Sequence, residues 1–102
     1  MSFWVYILRC ADRSYYTGHT DYLELRLSKH QTGEYAGYTQ TRLPVELVFT
    51  EEFSSRTEAF VRERQIKGWS RMKKEALIRG DWVKLSRLAH PSTGSGRAEK
   101  KP

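Results

Sequence analysis

The sequence predicts an α+β fold with element order ββαβα followed by short helices, on three observations. The run Phe3-Trp4-Val5-Tyr6-Ile7-Leu8, rich in β-branched and aromatic residues, is separated by the turn Ala11-Asp12-Arg13-Ser14 from Tyr15-Tyr16-Thr17, which makes a β-hairpin. A helix-spaced segment ends at Gly33 and is followed by a third strand-like run, Val45-Glu46-Leu47-Val48-Phe49. Ser55-Arg56-Thr57-Glu58 sets a hydroxyl and a carboxylate three apart, the signature of a capping box and so of a second helix.

Taken in order, Gly18 closes the hairpin's second strand without a side chain, which permits close approach by a ligand or a packed neighbour. Asp21 is placed to cap a helix over about residues 22–32. The Gly- and Thr-containing loop 34–44 then leads into the third strand. The capped helix runs from about residue 56 to Gly68 or Trp69, and Ser70 restarts the chain into a helix over about 71–79 that Gly80 ends. Asp81 begins another, with Trp82, Leu85 and Leu88/Ala89 on one face. Beyond residue 90, PSTGSGRAEKKP has no apolar residue except Ala98, so residues 1–90 are expected to form a single domain and 91–102 a disordered basic tail.

A chain of 102 residues suits one domain with a modest core. Eighteen Lys+Arg against twelve Asp+Glu give a net charge of +6, which favours a polyanionic partner, with nucleic acid foremost; the plain alternative is a basic surface that serves solubility. The single Cys10 excludes an internal disulfide framework, and His19, His30 and His90 show no zinc-ligand spacing. The longest apolar run, residues 3–8, is far too short to span a membrane, and Arg9 and Asp12 follow too soon for a secretory signal. A cytoplasmic location is expected.

Polar residues fall on faces that should be apolar. With Leu23 as reference, Leu27 lies about 40° round the first helix, His30 about 20° and Arg26 about 60° the other way. Either could pack its apolar part and satisfy its polar end locally. In the second helix Glu63 lies about 40° from Ala59, inside the apolar arc. A buried carboxylate needs a cation, which could be an Arg, a Lys or a metal, and an ion pair with Arg26 is one solution.

With these residues in place the sequence resembles a GIY-YIG nuclease domain, of the small standalone bacterial kind, over roughly residues 3–79. Trp4-Val5-Tyr6 corresponds to the first half of the family's name and Tyr16-Thr17-Gly18 to the second, with Trp4 in place of the first glycine and Thr17 in place of isoleucine. The ordered remainder adds Thr20, Arg26-Leu27, His30, Gly33, Tyr38-Thr39, Pro44 and Ala59 with Glu63. The resemblance implies a three-stranded antiparallel sheet flanked by helices and a divalent metal, Mg²⁺ or in its place Mn²⁺, held by Glu63. It further implies Tyr6 and Tyr16 as paired phenols beside the scissile phosphate, Arg26 as the phosphate-binding Arg, and His30 as their partner.

The implied activity is metal-dependent hydrolysis of phosphodiester bonds in DNA, with RNA the alternative polymer, and a role in repair or recombination. Arg26 suits phosphate because a guanidinium grips two oxygens and stays charged. One carboxylate suffices for a cation that keeps most of its waters. The water's base is Tyr6 or His30, a choice left open here: a phenol is mostly protonated at pH 7, whereas an imidazole needs no large shift. Lys67, Arg71, Lys73, Lys74 and Arg79 would hold phosphates without reading bases, so structure rather than sequence is expected to guide cleavage. In many relatives an appended module chooses the substrate; here a separate protein partner could do so. The competing reading is a nucleic-acid-binding module that has kept the fold without turnover, and a more distant one is a protein adaptor using exposed aromatics.

Overall fold

The computed structural model describes residues 1–89. It contains β1 (Phe3–Arg9), β2 (Tyr15–Thr20), α1 (Leu23–Thr32), β3 (Glu46–Phe53), α2 (Arg56–Lys67), α3 (Arg71–Arg79) and α4 (Trp82–Ala89). The strands form the three-stranded antiparallel sheet that the resemblance implied, in the order β2-β1-β3. The chain divides into two compact units, Met1–Gly68 and a second beginning at Trp69. The expected tail, residues 91–102, lies outside the described residues.

In the first unit β1 is the central strand, and its alternation sets what each face receives. Tyr6 and Leu8 are buried on one face with Cys10 and Val45, against Tyr16, Leu23, Leu27 and Leu47. The α1 leucines thus cover this face. Val5 and Ile7, fully buried, point to the other, because successive strand side chains alternate. Val5 pairs with His19 in register and His19 bonds to Glu63, so α2 covers that second face through Ala59, Glu63 and Ile66. Register pairing also puts Tyr6 opposite Gly18 and Leu8 opposite Tyr16, which brings both phenols to the α1 side.

Helix ends follow the sequence with one correction. Ser55 accepts the Glu58 amide at 3.2 Å, completing the predicted cap of α2. Gly33 takes a left-handed conformation, φ 80°, and its amide closes α1 onto Lys29 and His30 carbonyls. Asp21, however, does not cap α1: the cap position is Tyr22, with no side-chain bond, and the Asp21 carboxylate is held by Arg56 at 3.2 Å. Strands β2 and β3 outrun the apolar stretches that announced them, reaching Thr20 and Phe53. On β3, Thr50 and Glu52 are exposed and Glu51 is paired with Arg62, so polar residues extend an edge strand at little cost.

In the second unit α3 packs on α4. Ser70 caps α3 by accepting the Lys73 amide at 3.2 Å, and Asp81 accepts the Lys84 amide at the start of α4. Trp82, grouped by spacing with Leu85, is 63% exposed and does not share its part-buried setting. No helix among the described residues is long and apolar enough to cross a membrane.

Candidate functional site

Tyr6 rises from the middle of β1 and its phenol crosses the neighbouring strand at Gly18. A Cβ at position 18 would sit 2.6 Å from the Tyr6 hydroxyl oxygen and 2.7 Å from its ring. Glycine there is a requirement of the phenol's path, which answers why strand β2 carries it between Thr17 and His19. The Tyr6 hydroxyl meets His30 Nε2 at 2.9 Å, and the other imidazole nitrogen, Nδ1, meets Thr39 Oγ1 at 2.7 Å. All three side chains are enclosed, with Tyr6 and Thr39 at 1% exposure and His30 at zero.

Gly18→Ala should therefore push the Tyr6 ring off its seat, because the His30 bond and the packed core leave it no cheap retreat. Overpacking of this kind costs about 1–3 kcal/mol, and the melting temperature is expected to fall by roughly 5 °C or more. A thermal scan of the two proteins checks this; equal melting temperatures would mean that the ring moves freely.

Around this pair stand further aromatic groups. The Tyr16 ring lies 6.3 Å from Tyr6 and 5.1 Å from His30, and it stacks on Tyr38 at 6.2 Å. The Arg26 guanidinium lies over the Tyr35 ring at 4.9 Å and donates to its hydroxyl at 3.3 Å, while Tyr35 also packs on His30 at 4.5 Å. Arg42 lies over Tyr38 at 3.8 Å and bonds to Asp12. Tyr6, Tyr16, Arg26 and His30 are thus brought together directly.

Glu63 lies on α2, over the opposite face of the sheet, beside His19 of β2. Its carboxylate is 7% exposed, bonds to His19 Nδ1 and pairs with Lys67 Nζ at 2.8 Å. Its partners are therefore Lys67 and His19, and the ion pair with Arg26 that spacing allowed does not form. The Glu63 charge adds to the upward push on the Tyr16 phenol, after burial and Tyr35. Lys67, expected to hold phosphate, is engaged one helical turn from Glu63, a pairing its i,i+4 spacing permits. Arg71, Lys73, Lys74 and Arg79 belong to the second unit, where Arg71 pairs with Glu75 and Lys73 lies over the Trp69 ring.

Burial sets most of the proton affinities. It pushes the Tyr6 phenol well above its usual range, with Tyr16 adding to the shift and Arg26 opposing it. Burial, then Tyr35 and Glu63, push Tyr16 up to about 12. Burial, then the Arg26 charge, lower His30 to about 4, so the imidazole is neutral at pH 7. Burial opposes ionisation of Glu63, but bonds and charge from Lys67 and His19 outweigh it and hold the carboxyl below its usual value.

The His30 shift has a measurable consequence. Its folded pKa lies below the unfolded value near 6.5, so the unfolded chain binds the extra proton between about pH 6.5 and 4. The contribution to stability is present above that window and is lost as pH falls through it, by an amount on the order of 3 kcal/mol. Urea denaturation at pH 7 and pH 4.5 should show a steeper loss for wild type than for His30→Gln. Parallel losses would place the titration elsewhere.

Among the described residues no three or more of His, Cys, Asp and Glu gather as metal ligands. A lone, ionised, nearly buried carboxylate with an imidazole beside it still fits Mg²⁺ or Mn²⁺, because a hard cation that keeps most of its waters needs only one protein oxygen. Lys67, whose side chain is 51% exposed, can release Oε2 to it.

A family model described as the GIY-YIG catalytic domain matches residues 2–76. The chain belongs to the GIY-YIG family. A UPF0213 protein of Natronomonas pharaonis is 52% identical over 75 residues, covering 74% of this chain and 88% of the relative. One from Staphylococcus haemolyticus is 49% identical over 75 residues, covering 74% and 92%. The solution NMR structure of a UPF0213 protein from Bacillus halodurans is 41% identical, covers 87% of this chain and 98% of that one, and superimposes with a TM-score of 0.52. The relatives of this GIY-YIG domain occur in archaea as well as bacteria, wider than the bacterial group that the motifs suggested. Membership implies nuclease chemistry on nucleic acid, and GIY-YIG domains typically use a divalent metal.

Three participants escaped the sequence reading. Tyr35 sits in a loop without periodicity, and nothing local ties it to Arg26. His19 lies on β2 at the α2-facing register, which alternation from Gly18 gives only once α2 is known to cover that face. Thr39 was visible as part of the family pattern, without a role.

Proposed function

We propose that this chain is a metal-dependent endonuclease acting on DNA, guided by the structure of the DNA rather than its sequence. The observation that carries the reading is the enclosed Tyr6–His30 bond, with Tyr35 packed on the His30 ring and holding Arg26 beside it. A phenol and an imidazole bonded to each other inside the core, with a guanidinium held beside them, bury more polar chemistry than packing this face requires.

Arg26 binds the non-bridging oxygens of the scissile phosphate in a bidentate fork. In the free protein its guanidinium donates to the Tyr35 hydroxyl, and its charge favours ionisation of Tyr6. The Tyr6 oxygen, which uses its proton on His30, keeps a lone pair that orients the attacking water. Because burial disfavours a standing phenolate, Tyr6 passes its own proton to His30 Nε2 as it takes the water's. His30 is neutral with its Nε2 facing the phenol, and because burial and Arg26 lower its proton affinity it holds that proton only in passing. Both its nitrogens are occupied and the ring is fully buried, so of the two candidate bases Tyr6 meets the water and His30 stands behind it. A cation on Glu63 supplies charge stabilisation for the phosphate oxygens when bound. Tyr16, less buried, walls the site with Tyr38.

The binding-module reading gains one specific observation: Glu63 already has Lys67 and His19 and can stand without a metal. A panel of labelled linear, flap and four-way-junction DNAs, with an RNA control, separates the two. The nuclease reading expects Mg²⁺-dependent cleavage that follows the shape of the substrate through changes of sequence. Tight binding to every substrate with no cleavage of any would favour the module.

A further inference from the structure

Thr39 lies in the polar loop between α1 and β3, where a threonine would ordinarily face water, yet it is 1% exposed. Its hydroxyl is directed at His30 Nδ1, 2.7 Å away, while His30 Nε2 faces the Tyr6 hydroxyl at 2.9 Å. A neutral imidazole carries one proton for these two hydroxyl neighbours, and the nitrogen that holds it decides what the other can accept. If Nε2 held the proton, Tyr6 would have nowhere to send its own.

The surroundings select the tautomer. A phenol is a far stronger acid than an aliphatic alcohol and so the better donor of the two, and the Tyr6 hydroxyl is hydrogen-bonded to His30 Nε2, so its proton points there. The Tyr6 O–H therefore donates to Nε2, and Nδ1–H donates to Thr39 Oγ1. We propose that Thr39 is a positioning residue that fixes His30 as the Nδ1–H tautomer, so that the Nε2 lone pair is held ready for the Tyr6 proton.

The role in turnover rests on the nuclease reading; the tautomer itself does not. In the step, the water's proton goes to the Tyr6 oxygen, the Tyr6 proton goes to Nε2, and the doubly protonated ring keeps its Nδ1–H on Thr39. The threonine oxygen thus accepts from both the neutral and the cationic ring, so it need not reorient during the reaction. The loop is tied at this point as well, since the Arg42 amide donates to the Thr39 carbonyl at 3.0 Å.

Long-range ¹H–¹⁵N correlation spectra of the full chain at pH 7 read the tautomer directly, because the protonated and bare nitrogens have distinct shifts. The wild type should show His30 with Nδ1 protonated. Thr39→Val, which keeps the volume and removes the acceptor, should move His30 toward the Nε2–H form and lower kcat for cleavage about tenfold or more with little change in KM. Thr39→Ser should restore both. A wild-type spectrum with Nε2 protonated, or a Thr39→Val spectrum with the wild-type pattern, overturns the proposal; the wild-type measurement decides even if the Val variant fails to fold. Nδ1–H in a wild type that cleaves nothing upholds the tautomer and overturns the nuclease reading.

Discussion

Tyr6→Phe is expected to cut the single-turnover cleavage rate by about 10²- to 10⁴-fold, the range of a lost general acid–base group. The change removes one oxygen and keeps the ring that fills the core beside Leu8 and Val45. It also leaves His30 Nε2 without its partner on a side chain with no exposure, so stability should fall by about 1–3 kcal/mol. Tyr16→Phe makes the control, since Tyr16 has no contact with Nε2 among the bonds that hold His30. It should unfold closer to wild type. Rates corrected to the folded fraction separate the two effects, and a Tyr6→Phe protein that cleaves at the wild-type rate would remove Tyr6 from the chemistry.

Glu63→Gln should abolish Mg²⁺-dependent cleavage, a loss of at least about 10³-fold, while DNA affinity in metal-free buffer stays equal or rises. The amide keeps the volume and can still bond to His19, but it no longer anchors a cation. Lys67 loses its counter-charge and becomes available to phosphate, which is why affinity is expected to hold or increase. If Glu63 were instead a structural anion, the same change would strand Lys67, and the damage would appear as lower stability with cleavage intact. Melting temperature, metal-free affinity and nicking on the one variant distinguish these outcomes. A Gln variant that nicks as fast as wild type would end the assignment of Glu63 as the metal ligand.

The parts of this account that sequence could reach are those governed by local period or local chemistry. The hairpin, the Ser55 cap and the Gly33 stop each depend on neighbours within a few residues, and each stands as read. The wheel positions of His30 and Glu63 also held, because a polar residue on an apolar arc is visible without knowing what it touches. Partners were harder. Glu63 was given Arg26 as one choice, since both lay on core-facing arcs, but α1 and α2 cover opposite faces of the sheet and the carboxylate found Lys67 and His19 instead. Asp21 looked like a cap by spacing and was drawn to Arg56, 35 residues away. Tyr35 reaches Arg26 only because the loop folds back over α1, a tertiary event that no window on the sequence contains.

If a cation on Glu63 turns bound DNA into cleaved DNA, a single metal titration reveals it. Wild-type protein is bound to end-labelled branched DNA in EDTA, then Mg²⁺ is added and products are followed on a denaturing gel. The prediction is stable binding without nicking before the addition, and cleavage of the bound DNA that begins with Mg²⁺ and stops when chelator is restored. Cleavage at the same rate in EDTA, or bound DNA that stays intact at saturating Mg²⁺ and Mn²⁺, would contradict it.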